Sequence, residues 1–306
     1  MRALMIGVMF TALSSPAWAQ DPATQKPFEP VSGQAGKDVV WVPSPPDMVN
    51  KLMELAKVTP NDLVMDLGSG DGRNIIAAAK LGARALGVEF NPEMVELSRR
   101  LAAEAGVADK AQFVQADMYE YDISKANVLA LFLLPVNMNR LAPKFFNLAP
   151  GSRVVANTFG IDGWEPDTRV RLPPSSECES WCEALLWIVP AKIAGSWKMG
   201  NGSMTLTQEY QHVQGTVTTG GKTETVVMGK LLGNEIAFTA GGFAYKGTVN
   251  GDTIEGTVTT PMGDVPWRAR RLIWWQPPTA ALNLVAATKF NVDAGVSATT
   301  GKVFPS

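Results

Sequence analysis

The chain has 306 residues, of which 46% are hydrophobic, and a formal net charge of −2. This length and apolar content can bury a large core, and two domains are the natural expectation. The nearly balanced charge gives no electrostatic reason to expect nucleic acid as a partner. The single histidine, His212, falls in a β-rich region and is predicted to be a strand or surface residue, which argues against a hydrolase triad.

The N-terminus has the form of a secretory signal peptide. Arg2 supplies a positive start, residues 3–13 are apolar, and Ala17 and Ala19 give the small-x-small pattern that predicts cleavage after position 19. The apolar run is shorter than the about 20 residues that span a bilayer, although an uncleaved membrane anchor is the rival interpretation. The sequence therefore predicts a periplasmic or secreted protein in which residues 20–37, rich in Pro, Gln and Gly, form a linker.

An apolar strand running into a glycine loop comes next, after a predicted helix over residues 46–56. The strand covers residues 63–67, and every second residue of the loop at 68–72 is glycine. Glycine permits positive φ and lets a ligand approach the backbone, and the following helix offers free N–H groups. The Gly-x-Gly-x-Gly spacing is shorter than that of dinucleotide folds, and Asp66, inside the strand, suits a cationic ligand better than a pyrophosphate.

Two further acids follow the next two predicted strands. Glu89 ends the strand at residues 85–89, where a carboxylate can accept both hydroxyls of a ribose. Asp117 follows the strand at residues 111–116, where it can accept the amino group of adenine while Met118 covers the face of the base. Three acids therefore follow three strands in order.

This arrangement resembles the class I, seven-stranded S-adenosylmethionine (SAM) methyltransferases, in which these positions bind the methionine end, the ribose and the adenine of the cofactor. The resemblance implies SAM as the cofactor. The cofactor-binding residues that it implies are Asp66, Gly68, Ser69, Gly70, Asp71, Glu89, Phe90, Asp117 and Met118. A strand-to-helix turn without a ligand is disfavoured by the register of the three acids, and a nicotinamide dinucleotide site by the glycine spacing.

A narrower resemblance is carried by three segments around this core: residues 39–45 (VVWVPSP), 132–137 (FLLPVN) and 150–155 (PGSRVV). They are similar to the small protein-lysine methyltransferase family whose eukaryotic members modify mitochondrial carrier and ATP synthase subunits. The match covers residues 38–190. It implies a lysine of a protein as the methyl acceptor, with a small molecule as the alternative acceptor.

Strands and helices alternate across this region, which predicts an α/β fold with a doubly wound, Rossmann-like parallel sheet and the ligand at the carboxyl ends of its strands. Beyond the elements above, the pattern predicts helices over 73–80 and 92–105, with Asn91 as N-cap, and strands over 127–133, 152–158 and 184–189. By analogy with the family, the last of these strands is antiparallel.

The sequence pattern changes at residue 191. From there, short segments in which apolar and polar residues alternate are separated by Gly, Asn and Asp. This pattern predicts a small antiparallel β barrel or sandwich over residues 191–272, followed by a C-terminal tail over 273–306. The predicted strands are 203–210, 213–219, 225–232, 235–239, 243–249, 253–259 and 264–270.

The predicted catalytic residues are Trp41, Pro135 and Asn137. Methyl transfer from a sulfonium is an in-line displacement that needs no metal and no covalent intermediate, so few catalytic side chains are required. We expect Trp41, Asn137 and the Leu134 carbonyl to form a channel that lowers the pKa of an incoming lysine. The alternative is that Trp41 belongs to the core and that Pro135 and Asn137 only begin a helix.

Cys178 and Cys182 are the only cysteines, and a zinc site would need further ligands. We expect a local disulfide or two free thiols, without a catalytic role.

The sequence as a whole predicts an exported SAM-dependent methyltransferase that acts on protein lysine. A small-molecule methyltransferase and a non-catalytic envelope protein that binds through its β domain are the alternatives. SAM is made in the cytoplasm, which leaves three possibilities. The cofactor also leaves the cytoplasm, the chain works before or without export, or the pocket binds something else.

Overall fold

The structure is a computed structural model and describes residues 28–173, 178 and 180–272. It has two parts, a mixed seven-stranded sheet with helices and a closed antiparallel barrel of eight strands. In the described residues, no helix is long and apolar enough to cross a membrane. The predicted signal peptide and the predicted tail lie outside the described residues.

The first part contains helices α1 (Pro46–Leu55), α2 (Arg73–Lys80), α3 (Pro92–Glu104) and α4 (Pro135–Phe146). Its strands are β1 (Leu63–Leu67), β2 (Arg84–Glu89), β3 (Ala111–Gln115), β4 (Val128–Leu131), β5 (Arg153–Asn157), β6 (Thr168–Arg171) and β7 (Glu183–Ile188). The barrel strands are β8 (Gly195–Met199), β9 (Gly202–Glu209), β10 (His212–Thr219), β11 (Lys222–Leu232), β12 (Glu235–Ala240), β13 (Phe243–Asn250), β14 (Thr253–Thr260) and β15 (Gly263–Arg271).

The sheet order β3-β2-β1-β4-β5-β7-β6 confirms the predicted fold class. Strands β1 to β5 pair in parallel, and β7 is antiparallel to both β5 and β6. All four residues of β4 are buried, as its apolar run predicts. The order reverses between β1 and β4, and in such sheets ligands bind outside the carboxyl ends of the strands at this point. Strand β6 was not predicted, because its residues, TRVR, are mostly exposed and form no apolar run.

An ion pair between Asp62 and Arg153 holds the opposite, amino-terminal edge of the sheet. Arg153 donates to the Asp62 carboxylate and, over 2.8 Å, to the Ala56 carbonyl at the end of α1. Burial alone would raise the pKa of Asp62, but the bonds from Arg153 and from the Thr59 backbone N–H lower it. The pair therefore connects α1, the start of β1 and the start of β5.

We expect Asp62→Asn to destabilise the protein at neutral pH by about 2 kcal/mol, because it leaves the half-buried guanidinium without its counter-charge. The pKa of Asp62 is lower in the folded than in the unfolded chain, so its stabilisation is complete above about pH 4 and is lost as the pH falls through the folded pKa. Thermal unfolding of both proteins between pH 7 and pH 3 measures this. An equal difference in Tm at every pH would contradict it.

The barrel closes in the order β10-β11-β12-β13-β14-β15-β8-β9. The seven predicted strands are present, and the eighth, β8, was not predicted. Its five residues, GSWKM, are too few for a clear alternation, yet it pairs with β9 on one side and with β15 on the other. Because β8 joins the two ends of the meander, the β domain is a barrel and has no open sandwich edge there.

The β9–β10 turn of the barrel packs against the end of α4 and the connection between β5 and β6. Trp164, which is fully buried, stacks on Tyr210 with ring centroids 4.9 Å apart, and Phe146 meets both rings edge-on. The buried Gln211 side chain donates to the Glu165 carbonyl over 2.8 Å. The two parts of the protein therefore share a buried aromatic contact.

Candidate functional site

The backbone of the glycine loop between β1 and α2 lies in close contact with neighbouring side chains. Gly70 and Gly72 have φ of 56° and 80°, in the left-handed region. A Cβ at Gly70 would lie 2.6 Å from the indole nitrogen of Trp41, and one at Gly72 would lie 2.5 Å from the Phe113 ring. Only glycine satisfies both the backbone conformation and the contacts at these positions. Trp41 therefore lies directly on the loop.

Glu89, at the end of β2, links the glycine loop to the start of α3 through hydrogen bonds. One carboxylate oxygen accepts a hydrogen bond from the Gly70 N–H and the other from the Asn91 N–H, both over 2.9 Å. Asn91 caps α3 by accepting from the Glu93 N–H, as predicted. A carboxylate has about four acceptor positions, so two are left for the hydroxyls of a ribose.

Asp117, after β3, is paired with a cation from the N-terminal segment. Its Oδ2 accepts from Lys37 over 2.5 Å, and its Oδ1 accepts from the Tyr119 N–H over 2.8 Å. The Lys37 bond, and then the Tyr119 bond, lower the pKa of Asp117. The Lys37 ammonium also lies 4.8 Å from the centre of the half-exposed Phe90 ring.

Asp66 is the buried acid of the site. Its Oδ2 accepts from the Asn74 amide over 3.0 Å, while its Oδ1 has no partner among the described residues. Burial raises the pKa of this carboxyl well above its usual range; the Asn74 bond opposes the rise, and the charges of Glu89 and Asp71 add to it. The Ser69 hydroxyl nearby is also buried, and it too has no partner within the described part of the chain. Unpartnered buried acceptors beside the glycine loop fit a ligand with a cationic amine.

Asp71 behaves differently from the other predicted cofactor residues. Its carboxylate forms a two-point contact with Arg73, whose guanidinium also donates to the Ser44 carbonyl over 2.5 Å. Asp71 lines a hollow between α1 and α2 and not the cavity at the strand ends. The role of Asp71 in cofactor binding stays a prediction. In the structure, its contact with Arg73 holds residue 44 against the glycine loop.

Five of the predicted cofactor residues line a cavity at the carboxyl ends of the strands, whereas Asp66, Ser69 and Gly70 are not part of its lining. Its lining includes Gly68, Glu89, Phe90, Asp117, Met118 and Phe132. Residues 34–42 complete the wall on the outside, so the last four residues of the predicted linker, 34–37, form part of the site. The cavity measures about 80 Å³, against the about 300–1,000 Å³ of small-molecule sites. Residues 34–42, which we call the strap, form the outer wall of this cavity.

The structure brings the predicted catalytic residues to this region without testing their roles. Pro135 is exposed at the start of α4, whereas Asn137 is buried and donates to the Tyr119 hydroxyl over 2.7 Å. The Leu134 carbonyl accepts from the N–H groups of residues 137 and 138, which uses it as the first acceptor of the helix. Trp41 lines the cavity.

The switch-point sheet, the glycine loop and the acids at three consecutive strand ends define a class I SAM-dependent methyltransferase. A family model described as the ANTKMT methyltransferase domain matches residues 66–168. A protein-lysine N-methyltransferase of Saccharolobus islandicus is 41% identical over 137 residues, 44% of this chain and 85% of that protein. The chain belongs to this family of methyltransferases, and its cofactor is SAM.

A second lysine methyltransferase matches over less of its length. The adenine nucleotide translocase lysine N-methyltransferase of Mus musculus is 33% identical over 130 residues, which make up 42% of this chain and 56% of that protein. Among solved structures, an RNA methyltransferase from Salinibacter ruber in complex with S-adenosyl-L-homocysteine is 42% identical, with a TM-score of 0.46, and covers 50% of this chain and 96% of that chain. The family match ends before the barrel begins.

We expect Asp66→Asn to weaken SAM binding about tenfold or more, because an amide cannot oppose the cationic end of the cofactor. The same variant should unfold at an equal or higher temperature at pH 8. The pKa of Asp66 is raised in the folded chain, so its neutral carboxyl stabilises the fold at low pH. This stabilisation is lost as the pH rises and the buried group ionises. Titration calorimetry and thermal unfolding at pH 5 and pH 8 measure the two effects. Unchanged affinity would leave Asp66 a purely structural residue.

We expect Lys37→Ala to accelerate SAM association a few-fold, because Lys37 holds the strap on the carboxylate that the adenine amino group needs. Stopped-flow fluorescence measures the rate, since Trp41 lies in the strap and its emission reports the movement. Lys57→Ala, at a lysine that lies outside the strap and does not line the SAM cavity, is the matched control. Equal or slower association with Lys37→Ala would show that the ion pair does not restrain entry.

Proposed function

We propose that the protein transfers the methyl group of SAM to the side-chain amine of a lysine in a protein substrate, and that it does so outside the cytoplasm. The observation that carries the first part is the 41% identity to a protein-lysine N-methyltransferase across 85% of that protein. The family match includes the glycine loop and the strand ends at which the cofactor binds.

The reaction requires the protein mainly to bind SAM and the acceptor lysine and to position them against each other. SAM supplies a sulfonium-bound methyl group, whose C–S bond breaks as the C–N bond to the neutral lysine nitrogen forms, and a proton leaves the methylated amine for solvent. Asp66, Glu89 and Asp117 would hold the cofactor at its methionine end, its ribose and its adenine. Trp41 and Phe132, which line the cavity, exclude water around the reacting centre.

The lysine nitrogen has to be neutral when it attacks. A lysine that enters an apolar wall loses hydration, and this lowers its pKa toward the working pH. Leu134, which precedes α4, and Val136, in its first turn, are exposed apolar side chains a few residues after the cavity-lining Phe132, and they supply such a surface. A nucleic-acid substrate is less consistent with the net charge of −2.

Export is supported by two features of the chain. The N-terminal segment has the form of a cleavable signal peptide. Cys178 and Cys182 form a disulfide, a bond that is typical of oxidising compartments and rare in the cytosol. Mass spectrometry of the protein from fractionated cells tests this proposal. A mature chain that begins at Gln20 in the periplasmic fraction supports it, and a cytoplasmic chain that retains Met1 contradicts it.

Glu89→Gln tests the cofactor site and the activity together. We expect SAM affinity to fall about ten- to a hundredfold, because the amide can accept through only one atom and cannot serve both the backbone N–H groups and a ribose. Glu93→Gln, in the first turn of α3, is the matched control and should bind as the unmodified chain does.

The acceptor is tested with radiolabelled SAM and four substrates: a lysine-rich peptide, its arginine counterpart, RNA and a small primary amine. Transfer to the lysine peptide that falls in Glu89→Gln supports the proposed function. Transfer to the amine alone would favour the small-molecule alternative. A folded chain that binds no SAM would remove the proposal.

A further inference from the structure

A cluster of three aromatic side chains adjoins the cofactor cavity on its sheet side. Phe132 stacks on Phe159 with centroids 6.1 Å apart and an interplanar angle of 10°. Trp181 meets Phe132 at 6.0 Å in a tilted arrangement. We call these three residues the aromatic wall.

The position of the aromatic wall follows from the topology. Phe132 comes directly after β4, Phe159 lies two residues after β5, and Trp181 lies two residues before the antiparallel β7. All three therefore reach the carboxyl edge of the sheet, where ligands bind. Phe132 also lines the SAM cavity, so a single ring separates the cofactor from the rest of the wall.

The backbone behind the wall is held in an uncommon conformation. Thr158 and Trp181 have φ of 62° and 56°, in the left-handed region that non-glycine residues rarely adopt. Such conformations cost free energy and persist where the surrounding structure enforces them, often at functional sites. The Thr158 N–H donates to the Glu183 carbonyl over 2.7 Å, which joins the two segments.

The disulfide supplies a second restraint. It links Cys178 to Cys182, the residue after Trp181, and the Cys182 carbonyl accepts from the Leu172 N–H over 2.9 Å. The bond closes a very short loop, so it adds little stability by restricting the unfolded chain. Its effect is expected to be local, because it anchors Cys182, the residue next to Trp181.

The Trp181 side chain is not an ordinary core residue. It is 46% exposed, although the disulfide and the sheet edge hold its backbone in place. Val136, at the start of α4, is 68% exposed and also belongs to the carboxyl side of the sheet. An exposed, restrained tryptophan beside a cofactor cavity is typical of a surface that contacts a substrate.

We propose that the aromatic wall is the site that receives the acceptor lysine, and that the Cys178–Cys182 disulfide positions it. This proposal rests on lysine methylation as the proposed function and adds the residues that select for it. Aromatic faces attract ammonium groups through cation–π contacts and retain the affinity when methyl groups replace N–H bonds. The wall therefore fits both the lysine substrate and its methylated products. The cysteines act through Trp181 and have no contact with the reacting atoms.

Trp181→Ala tests the wall. The probe is Nα-acetyl-Nε-trimethyl-lysine methylamide, titrated by NMR into the full chain saturated with S-adenosylhomocysteine. We expect its binding to weaken about tenfold, and the KM for the lysine peptide to rise by a similar factor, while SAM affinity is unchanged. Trp181→Phe should restore most of the loss. Phe243→Ala, at a partly exposed aromatic residue of the barrel, is the matched control.

The disulfide is tested by Cys178→Ser with Cys182→Ser, and by reducing the unmodified chain with a dithiol, which converts the bond to two thiols. Both should raise the KM for the peptide without changing SAM affinity or the far-ultraviolet circular dichroism. An unchanged KM in these proteins would remove the positioning role of the disulfide, and an unchanged KM in Trp181→Ala would remove the wall.

Failure of the proposed function has a different signature. In that case the unmodified chain binds SAM but neither methylates the lysine peptide nor binds the trimethyl-lysine probe. If it methylates the peptide and Trp181→Ala does so with the same KM, lysine methylation stands and the acceptor enters elsewhere.

Discussion

The pair of hydrogen bonds that the Glu89 carboxylate accepts from Gly70 and Asn91 is the constraint on which the cofactor site depends. It joins the loop after β1, the end of β2 and the start of α3 at one point. The left-handed glycines can take many conformations in an unfolded chain, and this carboxylate selects one of them. Because the same group faces the cavity, the residue that shapes the loop also presents acceptors to the ligand.

The three acids of the site differ in environment, and this difference suits a cofactor with three unlike parts. Asp117 is accessible and paired with Lys37, Glu89 is bonded to backbone N–H groups, and Asp66 is buried with a raised pKa. A ligand cation can be matched best by a buried carboxylate, where the effective dielectric constant is low. The strap completes the cavity wall with residues of the same chain, and its Lys37 pairs with the Asp117 carboxylate.

The barrel is a separate β structure that shares a buried contact with the methyltransferase sheet. The stacked Trp164 and Tyr210 rings, together with the Gln211 bond, join the two parts on the side of the barrel formed by the β9–β10 turn. The barrel has its own hydrophobic core, which includes an aromatic cluster of Phe238, Tyr245 and Trp267. It adds no described residue to the cavity at the strand ends.

The order of the alternating elements, the glycine loop, the three acids and the β character of the second half could all be predicted from the sequence. These features depend on local patterns: apolar periodicity, glycine spacing and turn residues. The folded arrangement was needed for the rest. Strand β8 closes the barrel, and the strap lies over Asp117. Phe132, Phe159 and Trp181 meet although they come from three different strand ends. Contacts between residues far apart in the chain follow from sheet order and loop path, which no local pattern records.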